Sequence, residues 1–172
     1  MKSVMKESKN ISIFIRLFST FPYLLPLLEG FQDFGNLVLQ DYPLNIFRIY
    51  KKTFLPYVAF YSSTPWLSII IFFLLYYFIV SAKGPIPIHR LLKFNTLQAI
   101  ILYMVIIVFA NIFRLFPTGF KFSLYGSMVS NTLFWFVLTT VIYSFWHIFK
   151  GTYAQIPVIS EGAKMHIDFG ID

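Results

Sequence analysis

The chain has 172 residues, of which 58% are hydrophobic, 21% aromatic and only 12% charged, and its formal net charge is +7. Ordinary soluble domains contain about 25% charged residues, and a water-soluble core of this size could not hide so much apolar surface. The composition therefore excludes an ordinary soluble domain and predicts that lipid surrounds most of the chain.

A basic tail, residues 1–15, opens the chain and resembles the charged region of a signal peptide. The apolar stretch that follows is interrupted by Arg16 and by Glu29, and no small-residue cleavage site appears before Gly30. We therefore expect this tail to belong to the mature protein and not to a targeting segment.

The first hydrophobic element, residues 16–39, is weak. Only its first half is continuously apolar, and as a helix that half reaches about 18 Å, too short to cross a bilayer unaided. Pro22 and Pro26 lie four residues apart and favour a kink. Two alternatives follow: the helix borrows the second half of the element and buries Glu29 and Asp33 within the protein, or it enters the membrane without crossing.

Residues 40–65 are predicted to form a loop with an amphipathic segment. Arg48, Lys51 and Lys52 are spaced as on one side of a helix, while aromatic and aliphatic residues fall mainly on the other sides. This pattern favours a segment that lies in the headgroup region of the membrane. The alternative is a solvated loop with a helical turn.

Three stretches, residues 66–82, 94–113 and 127–149, contain no Asp, Glu, Lys or Arg. As helices they would reach about 25, 30 and 34 Å, which brackets the roughly 30 Å hydrocarbon thickness of a bilayer. We predict strong transmembrane helices over 66–82, 94–116 and 127–149, followed by a C-terminal tail over 150–172. The predicted fold class is an all-α integral membrane protein with four transmembrane helices, the first short and proline-kinked.

The distribution of Lys and Arg predicts the orientation of these helices. With four spans, nine of the fourteen basic residues lie on the side that holds both termini and five lie on the opposite side. Because basic residues favour the side on which the protein is made, both termini are expected there. With only three spans the termini would lie on opposite sides, and charge alone does not decide between the two arrangements.

Polar side chains are rare in the predicted spans. Asn95 and Gln98 lie one turn apart on a face continued by Ala99 and Leu102, and Asn131 lies in a small polar cluster near one end of the last span. In lipid such groups most often join neighbouring helices. The alternative is a polar lining for a translocation path, so Asn95, Gln98 and Asn131 are candidates for a polar seam that contacts a partner or a precursor.

Few residues suit catalysis or metal binding. The chain has no Cys, no glycine-rich phosphate loop and no HExxH or GxSxG motif, and its seven acids lie outside the three strong spans. His147 has no second His at the right spacing. We therefore expect no catalytic residue, cofactor, metal site or nucleic-acid partner; only Glu29 and Asp33 could act as the coupling acids of a carrier.

Four stretches carry a family resemblance. They are RLFSTFPYLLPLLEG at 16–30, LLKFNTLQAI at 91–100, the polar opening of the last span at 130–132, and IPVISEGAKMHI at 156–167. They resemble the twenty-kilodalton Tic subunit family of the translocon at the inner envelope membrane of chloroplasts. Abundant Phe, Tyr, Ile, Lys and Asn with few Ala residues is typical of AT-rich codons, which favours the plastid-encoded algal form over a cyanobacterial relative.

The resemblance implies four helices, both termini in the stroma, and a non-enzymatic role in a preprotein-conducting pathway of the inner envelope. It implies as partners the lipid bilayer, other translocon subunits, preprotein chains in transit and further copies of the chain. Pro22, Pro26 and Glu29 match positions of the family motif, as do Asn95 and Gln98. The alternatives are a small multi-pass solute or ion carrier, or a non-conducting assembly scaffold of a membrane complex.

Overall fold

The computed structural model describes residues 11–40, 42–43, 45–81 and 88–169. Residues 1–10 of the predicted basic tail and residues 170–172 of the C-terminal tail lie outside this part of the chain. So do residues 41 and 44 of the predicted loop and residues 82–87, which include the end of the predicted 66–82 span. Every regular element within the described ranges is a helix, which confirms the predicted all-α class.

The described helices, in chain order, are α1 (Ile13–Leu39), α2 (Ile46–Thr53), α3 (Leu55–Ser63), α4 (Pro65–Val80), α5 (Arg90–Leu115), α6 (Thr118–Lys121), α7 (Leu124–Phe149) and α8 (Ile159–Phe169). Three of them, α1, α5 and α7, are long and apolar enough to cross a membrane, and α3 with α4 forms a fourth, bent candidate. The chain is an integral membrane protein.

Helix α1 has the length that the longer of the two alternatives requires. Helix α1 continues past Gly30 to Leu39. It includes a 3₁₀ turn at Phe21–Tyr23, which contains Pro22, and a π-helical turn at Phe31–Gly35. Packing against α7 explains why this weakly hydrophobic sequence forms a long helix. A Cβ placed on Gly30 would lie 3.0 Å from Cγ1 of Val137, so α1 and α7 approach closely there. Glu29 is accordingly buried.

Helices α3 and α4 meet at an angle of 91°. The break falls at Thr64, whose φ of −125° and ψ of 74° leave the helical region. Pro65 follows, and a proline disfavours the helical conformation in the residue before it. Helix α4, about 24 Å long, falls within the stretch for which a span over 66–82 is predicted, and α3 falls within the stretch predicted to be a loop.

Two contacts define the ends of the bundle. At what we call the tail end, Nη1 of Arg16 donates a hydrogen bond of 2.8 Å to the carbonyl of Phe149. At what we call the loop end, Arg114 forms an ion pair with Asp33. With α3 and α4 counted as one span, the chain crosses four times, and Ile13 and Phe149 lie at the same end.

The C-terminal segment folds back against the bundle. Gly151, with φ of 71°, ends α7 in the left-handed conformation that glycine tolerates best. Ile156 and Ile159 then enter the main core, and Ala163 packs with Phe94 and its neighbours on α5. Helix α8 therefore lies beside the apolar part of a transmembrane helix instead of extending away from the protein.

Candidate functional site

Asn95 and Gln98 lie together in a buried polar cluster near the tail end. The hydroxyl of Tyr23 is shared between Oδ1 of Asn95, at 3.2 Å, and Oε1 of Gln98, at 3.1 Å. Nδ2 of Asn95 donates to the carbonyl of Leu91 at 2.8 Å, and Nε2 of Gln98 donates to the carbonyl of Ala154 at 3.4 Å. The cluster therefore joins α1, α5 and the C-terminal segment.

Both amides are fully enclosed in this arrangement. Asn95, Gln98 and Tyr23 each have 0% of their surface exposed. A partner or precursor would reach the two amides only if Tyr23 or the segment around Ala154 moved. In the described conformation, the two side chains therefore join α5 to α1.

Asn131 belongs to a separate cluster. Its Oδ1 accepts a hydrogen bond of 2.9 Å from the hydroxyl of Tyr42, and that hydroxyl accepts one of 2.7 Å from the indole Nε1 of Trp135. Asn131 lies in the half of α7 nearer the loop end and is half-buried. The structure thus brings Asn95 and Gln98 together but not Asn131.

The acidic residues of α1 form a third cluster, one turn apart on the helix. Oε2 of Glu29 accepts a hydrogen bond of 2.8 Å from the hydroxyl of Tyr61, and Oδ1 of Asp33 binds Arg114. Glu29 is only 7% exposed, and the Asp33 side chain only 9%. Among the described residues, Oδ2 of Asp33 and Oε1 of Gln32 have no hydrogen-bond partner.

A cavity of about 400 Å³ lies between this cluster and the break in the second span. It is lined by Glu29, Gln32, Tyr61, Ser68, Tyr103 and Arg114, among others. A site with polar walls and this volume has room for several waters, each of which needs about 30 Å³ in liquid water. We call it the break cavity.

The break cavity extends from the middle of α5 to Arg114 at the loop end. Tyr103 and Ile107, which line it, lie in the charge-free stretch of α5. Irregular backbone at that depth is tolerated where it lines a cavity or is covered by protein, and the break at Thr64 lies beside this cavity. The result is a partly polar space, open on one side, among otherwise apolar helices.

Among the described residues, the break cavity offers hydrogen-bonding groups and one acid, Glu29, that forms no ion pair. Glu29 is held by a tyrosine hydroxyl, whereas Asp33 is neutralised by Arg114. Within the described part of the chain, no group of three or more His, Asp or Glu residues could hold a metal ion. The arrangement can therefore hold water, polar side chains or peptide groups.

The partners of the predicted polar residues are mostly tyrosines, which sequence reasoning did not single out. Tyr23, Tyr42 and Tyr61 are three of eleven tyrosines in the chain. Tyr23 lies within the PYLLP motif, which was a usable signal. Nothing in the sequence distinguishes the other two, because helical spacing does not show which neighbouring helix a tyrosine faces.

Comparison with known proteins decides the family. The model of the family described as "Chloroplast import apparatus Tic20-like" matches residues 3–163. The chain belongs to the Tic20-like family. Among curated members, the Tic20 family protein Ycf60 of Gracilaria tenuistipitata var. liui is 50% identical over 162 residues, which cover 94% of this chain and 79% of that protein.

Two further Tic20-like relatives show the range of the family. Ycf60 of Pyropia yezoensis is 45% identical over 166 residues, covering 96% of this chain and 82% of the relative. The protein named TIC 20-v, chloroplastic, of Arabidopsis thaliana is 28% identical over 163 residues, covering 94% and 75%. The resemblance drawn from the sequence motifs, to the algal form of the family, is confirmed.

Membership makes this chain a membrane subunit associated with protein import into chloroplasts. The family is associated with a membrane translocon. The three residues that match the family motif, Pro22, Pro26 and Glu29, are all buried in α1. Pro22 lies in the 3₁₀ turn, Pro26 follows one turn later, and Glu29 faces Tyr61.

Proposed function

We propose that this Tic20-like chain is a subunit of the import translocon of the chloroplast inner envelope and forms part of the wall of a preprotein-conducting pathway. The observation that carries the proposal is the break cavity, a polar space within apolar spans. An extended polypeptide needs hydrogen-bonding partners inside a membrane, and the walls of the break cavity supply hydroxyl, amide and charged groups.

The pathway is shared with partner subunits or with further copies of the chain. The centre of the bundle is filled, since Tyr23, Phe34 and Leu102 are almost completely buried there, and a four-helix bundle packs its core with side chains. The break cavity instead lies to one side, where Ser62 and Pro65 of its wall are exposed. A second protein surface facing them would complete a conduit.

We retain the polar seam as part of this proposal, with different roles for its members. Asn131 is half-buried, so a partner can contact it without any rearrangement of the bundle. Asn95 and Gln98 become accessible only when the Tyr23 cluster opens. Precursor contact at Asn131 is therefore expected first, and contact at the other two only during transport.

We also propose that both termini face the stroma. The tail-end contact between Arg16 and Phe149 supports this orientation, because the start of α1 and the end of α7 then lie on the same side of the membrane. The excess of Lys and Arg on that side supports it independently.

The natural absence of Cys makes a crosslinking test direct. Single Cys residues are placed at Ser62 and Ser68 in the break cavity and at Phe73, which is 62% exposed, as a lipid-facing control. With an arrested precursor, crosslinks are expected from the first two positions and not from the control. Crosslinks confined to Phe73, or no precursor contact at any position, would remove the conducting role; the latter result indicates a scaffold.

A second candidate function, a small-solute or ion carrier, is favoured by one observation. Glu29 is a nearly buried acid beside a polar cavity at membrane depth, where charged groups are costly and usually functional. A carrier predicts that Glu29→Gln abolishes solute flux in proteoliposomes while the chain still inserts and assembles. An import subunit predicts no such flux in the unmodified chain.

A further inference from the structure

Helix α2 presents a basic face at the loop end. Arg48, Lys51 and Lys52 are all exposed, and α2 contains no Asp or Glu. Ion pairs between described residues do not include any of the three. Nζ of Lys51 lies 4.4 Å from the ring centroid of Phe47, which holds the ammonium against the helix surface.

The face of α2 that adjoins the two lysines closes an apolar cleft of about 260 Å³, which we call the α2 cleft. Its walls come from three helices: Leu27 from α1, Ile49 and Tyr50 from α2, and Phe134 and Leu138 from α7. Ile49 is 58% exposed, so the cleft is open on the outside of the bundle. A cleft with this lining suits a hydrocarbon chain.

Two of the basic residues adjoin cleft-lining residues along α2. Lys52 lies one turn after Ile49, and Lys51 one turn before Phe54, which also lines the cleft. The long stems of both lysines can follow the helix surface while the ammonium groups remain at the polar boundary. Charged groups therefore border the face of α2 that closes the cleft.

The rim of the cleft has the character of a membrane interface. Trp135 donates its indole hydrogen to the hydroxyl of Tyr42, and both residues line the cleft. Tryptophan and tyrosine are enriched at headgroup level because they combine an apolar ring with a polar group. The α2 cleft therefore extends from the headgroup region toward the hydrocarbon.

We propose that α2 and the α2 cleft form a binding site for an anionic membrane lipid. One acyl chain occupies the cleft, and the negatively charged headgroup is bound by Arg48, Lys51 and Lys52. An acidic protein would satisfy the basic face but would leave the apolar cleft unfilled, whereas an anionic lipid matches both. This inference does not depend on the import role.

The test uses the full chain, purified in detergent, and compares phosphatidylglycerol with phosphatidylcholine of identical acyl chains by native mass spectrometry. Each basic residue near a membrane surface contributes about 1 kcal/mol, which is about fivefold in binding, so three give up to about 100-fold. The unmodified chain should prefer phosphatidylglycerol. The variant R48Q/K51Q/K52Q should lose most of that preference.

Two further variants test whether the preference depends on the position of the charges and whether the cleft takes part in binding. K93Q/K150Q/K164Q removes the same charge from the tail end and should keep the preference. Leu138→Trp, which fills the cleft and leaves the basic face intact, should reduce retention of both lipids, with its unfolding midpoint measured to show that it folds.

Four results would overturn the proposal. The first three are equal binding of the two lipids by the unmodified chain, a preference kept by R48Q/K51Q/K52Q, and a preference lost equally by K93Q/K150Q/K164Q. Capture of an acidic peptide in place of phosphatidylglycerol would assign the basic face to a protein partner.

Discussion

Single tyrosine hydroxyls satisfy several polar groups inside this bundle. Tyr23 serves two amides, Tyr61 a carboxylate and Tyr42 an amide on α7. Within lipid, water can replace a lost partner only where a cavity admits it, as the break cavity does beside Tyr61. The bundle should therefore be sensitive to the removal of one oxygen atom at these positions.

Tyr61→Phe removes the donor to Glu29. Leaving a buried acceptor unsatisfied costs about 1–3 kcal/mol, so the free energy of unfolding in mixed micelles should fall by about that amount. Tyr57→Phe is the matched control, because Tyr57 lies one turn earlier on α3 and is 69% exposed. Equal effects of the two changes would show that the hydrogen bond to Glu29 contributes nothing.

Tyr23→Phe should have a smaller effect than Tyr61→Phe. The tyrosine has one proton to share between Asn95 and Gln98, and neutral hydrogen bonds between transmembrane helices average about 0.6 kcal/mol. A loss of about 0.6–2 kcal/mol is expected in the same unfolding measurement. Tyr125→Phe, at an exposed position of α7, should change nothing.

A different result for Tyr23→Phe would be informative about the seam. If stability is unchanged while Asn95→Cys becomes reactive to a water-soluble thiol reagent in the Tyr23→Phe background, the cluster opens readily. The closed conformation, in which Asn95 is enclosed, would then be about as populated as an open one. Unchanged stability with an unreactive Cys would show that packing alone closes the cluster.

At the scale of elements, the connection between α5 and α7 is unusually tight. A Cβ on Gly126 would lie 2.2 Å from the carbonyl oxygen of Phe120 and 2.6 Å from that of Lys121. Both atoms belong to the backbone, so no side-chain rotation relieves the contact. The glycine lets the first turn of α7 pack against α6.

Gly126→Ala should therefore destabilise the protein. Overpacking of this kind costs about 1–3 kcal/mol, to be measured as a shift of the thermal unfolding midpoint in detergent. Gly119→Ala is the control on α6, since a Cβ there meets no atom within 4 Å. A midpoint for Gly126→Ala equal to that of the control would contradict the close approach.

At the scale of the whole molecule, the sequence was most informative where charge is absent. Uninterrupted apolar runs predicted an all-α membrane protein, because lipid leaves few other solutions for the backbone. Asn95, Gln98 and Leu102, which helical spacing groups on one face, are all buried. These properties depend on local sequence and on the solvent, and both can be inferred without a structure.

Properties that depend on which elements meet were not accessible in this way. The 91° bend depends on the backbone angles of one residue, Thr64, and the same Thr-Pro pair also fits an ordinary helix start. The break cavity follows from that bend. Asn131 could not be separated from Asn95 because spacing gives the face of a helix and not its neighbour.

The bent second span leads to a prediction about topology. If α3 and α4 together cross the membrane, Thr53 and Lys121 both lie at the loop end, and Lys150 lies at the tail end. The contacts of Asp33 with Arg114 and of Arg16 with Phe149 support this arrangement. Thr53 and Lys150 are exposed and Lys121 is half-buried. Single Cys residues at these positions can be labelled in intact membrane vesicles with a membrane-impermeant thiol reagent.

Four spans predict that Thr53→Cys and Lys121→Cys label from one side and Lys150→Cys from the other. If α3 and α4 instead entered and left on the same side, α5 and α7 would reverse relative to α1. Thr53→Cys would then label with Lys150→Cys and opposite to Lys121→Cys. That reversal would separate Arg114 from Asp33 by the thickness of the bilayer and leave each charge without its partner. An unpaired charge within the membrane costs about 2.5–3.5 kcal/mol. We therefore expect Thr53→Cys and Lys121→Cys to be labelled from the same side.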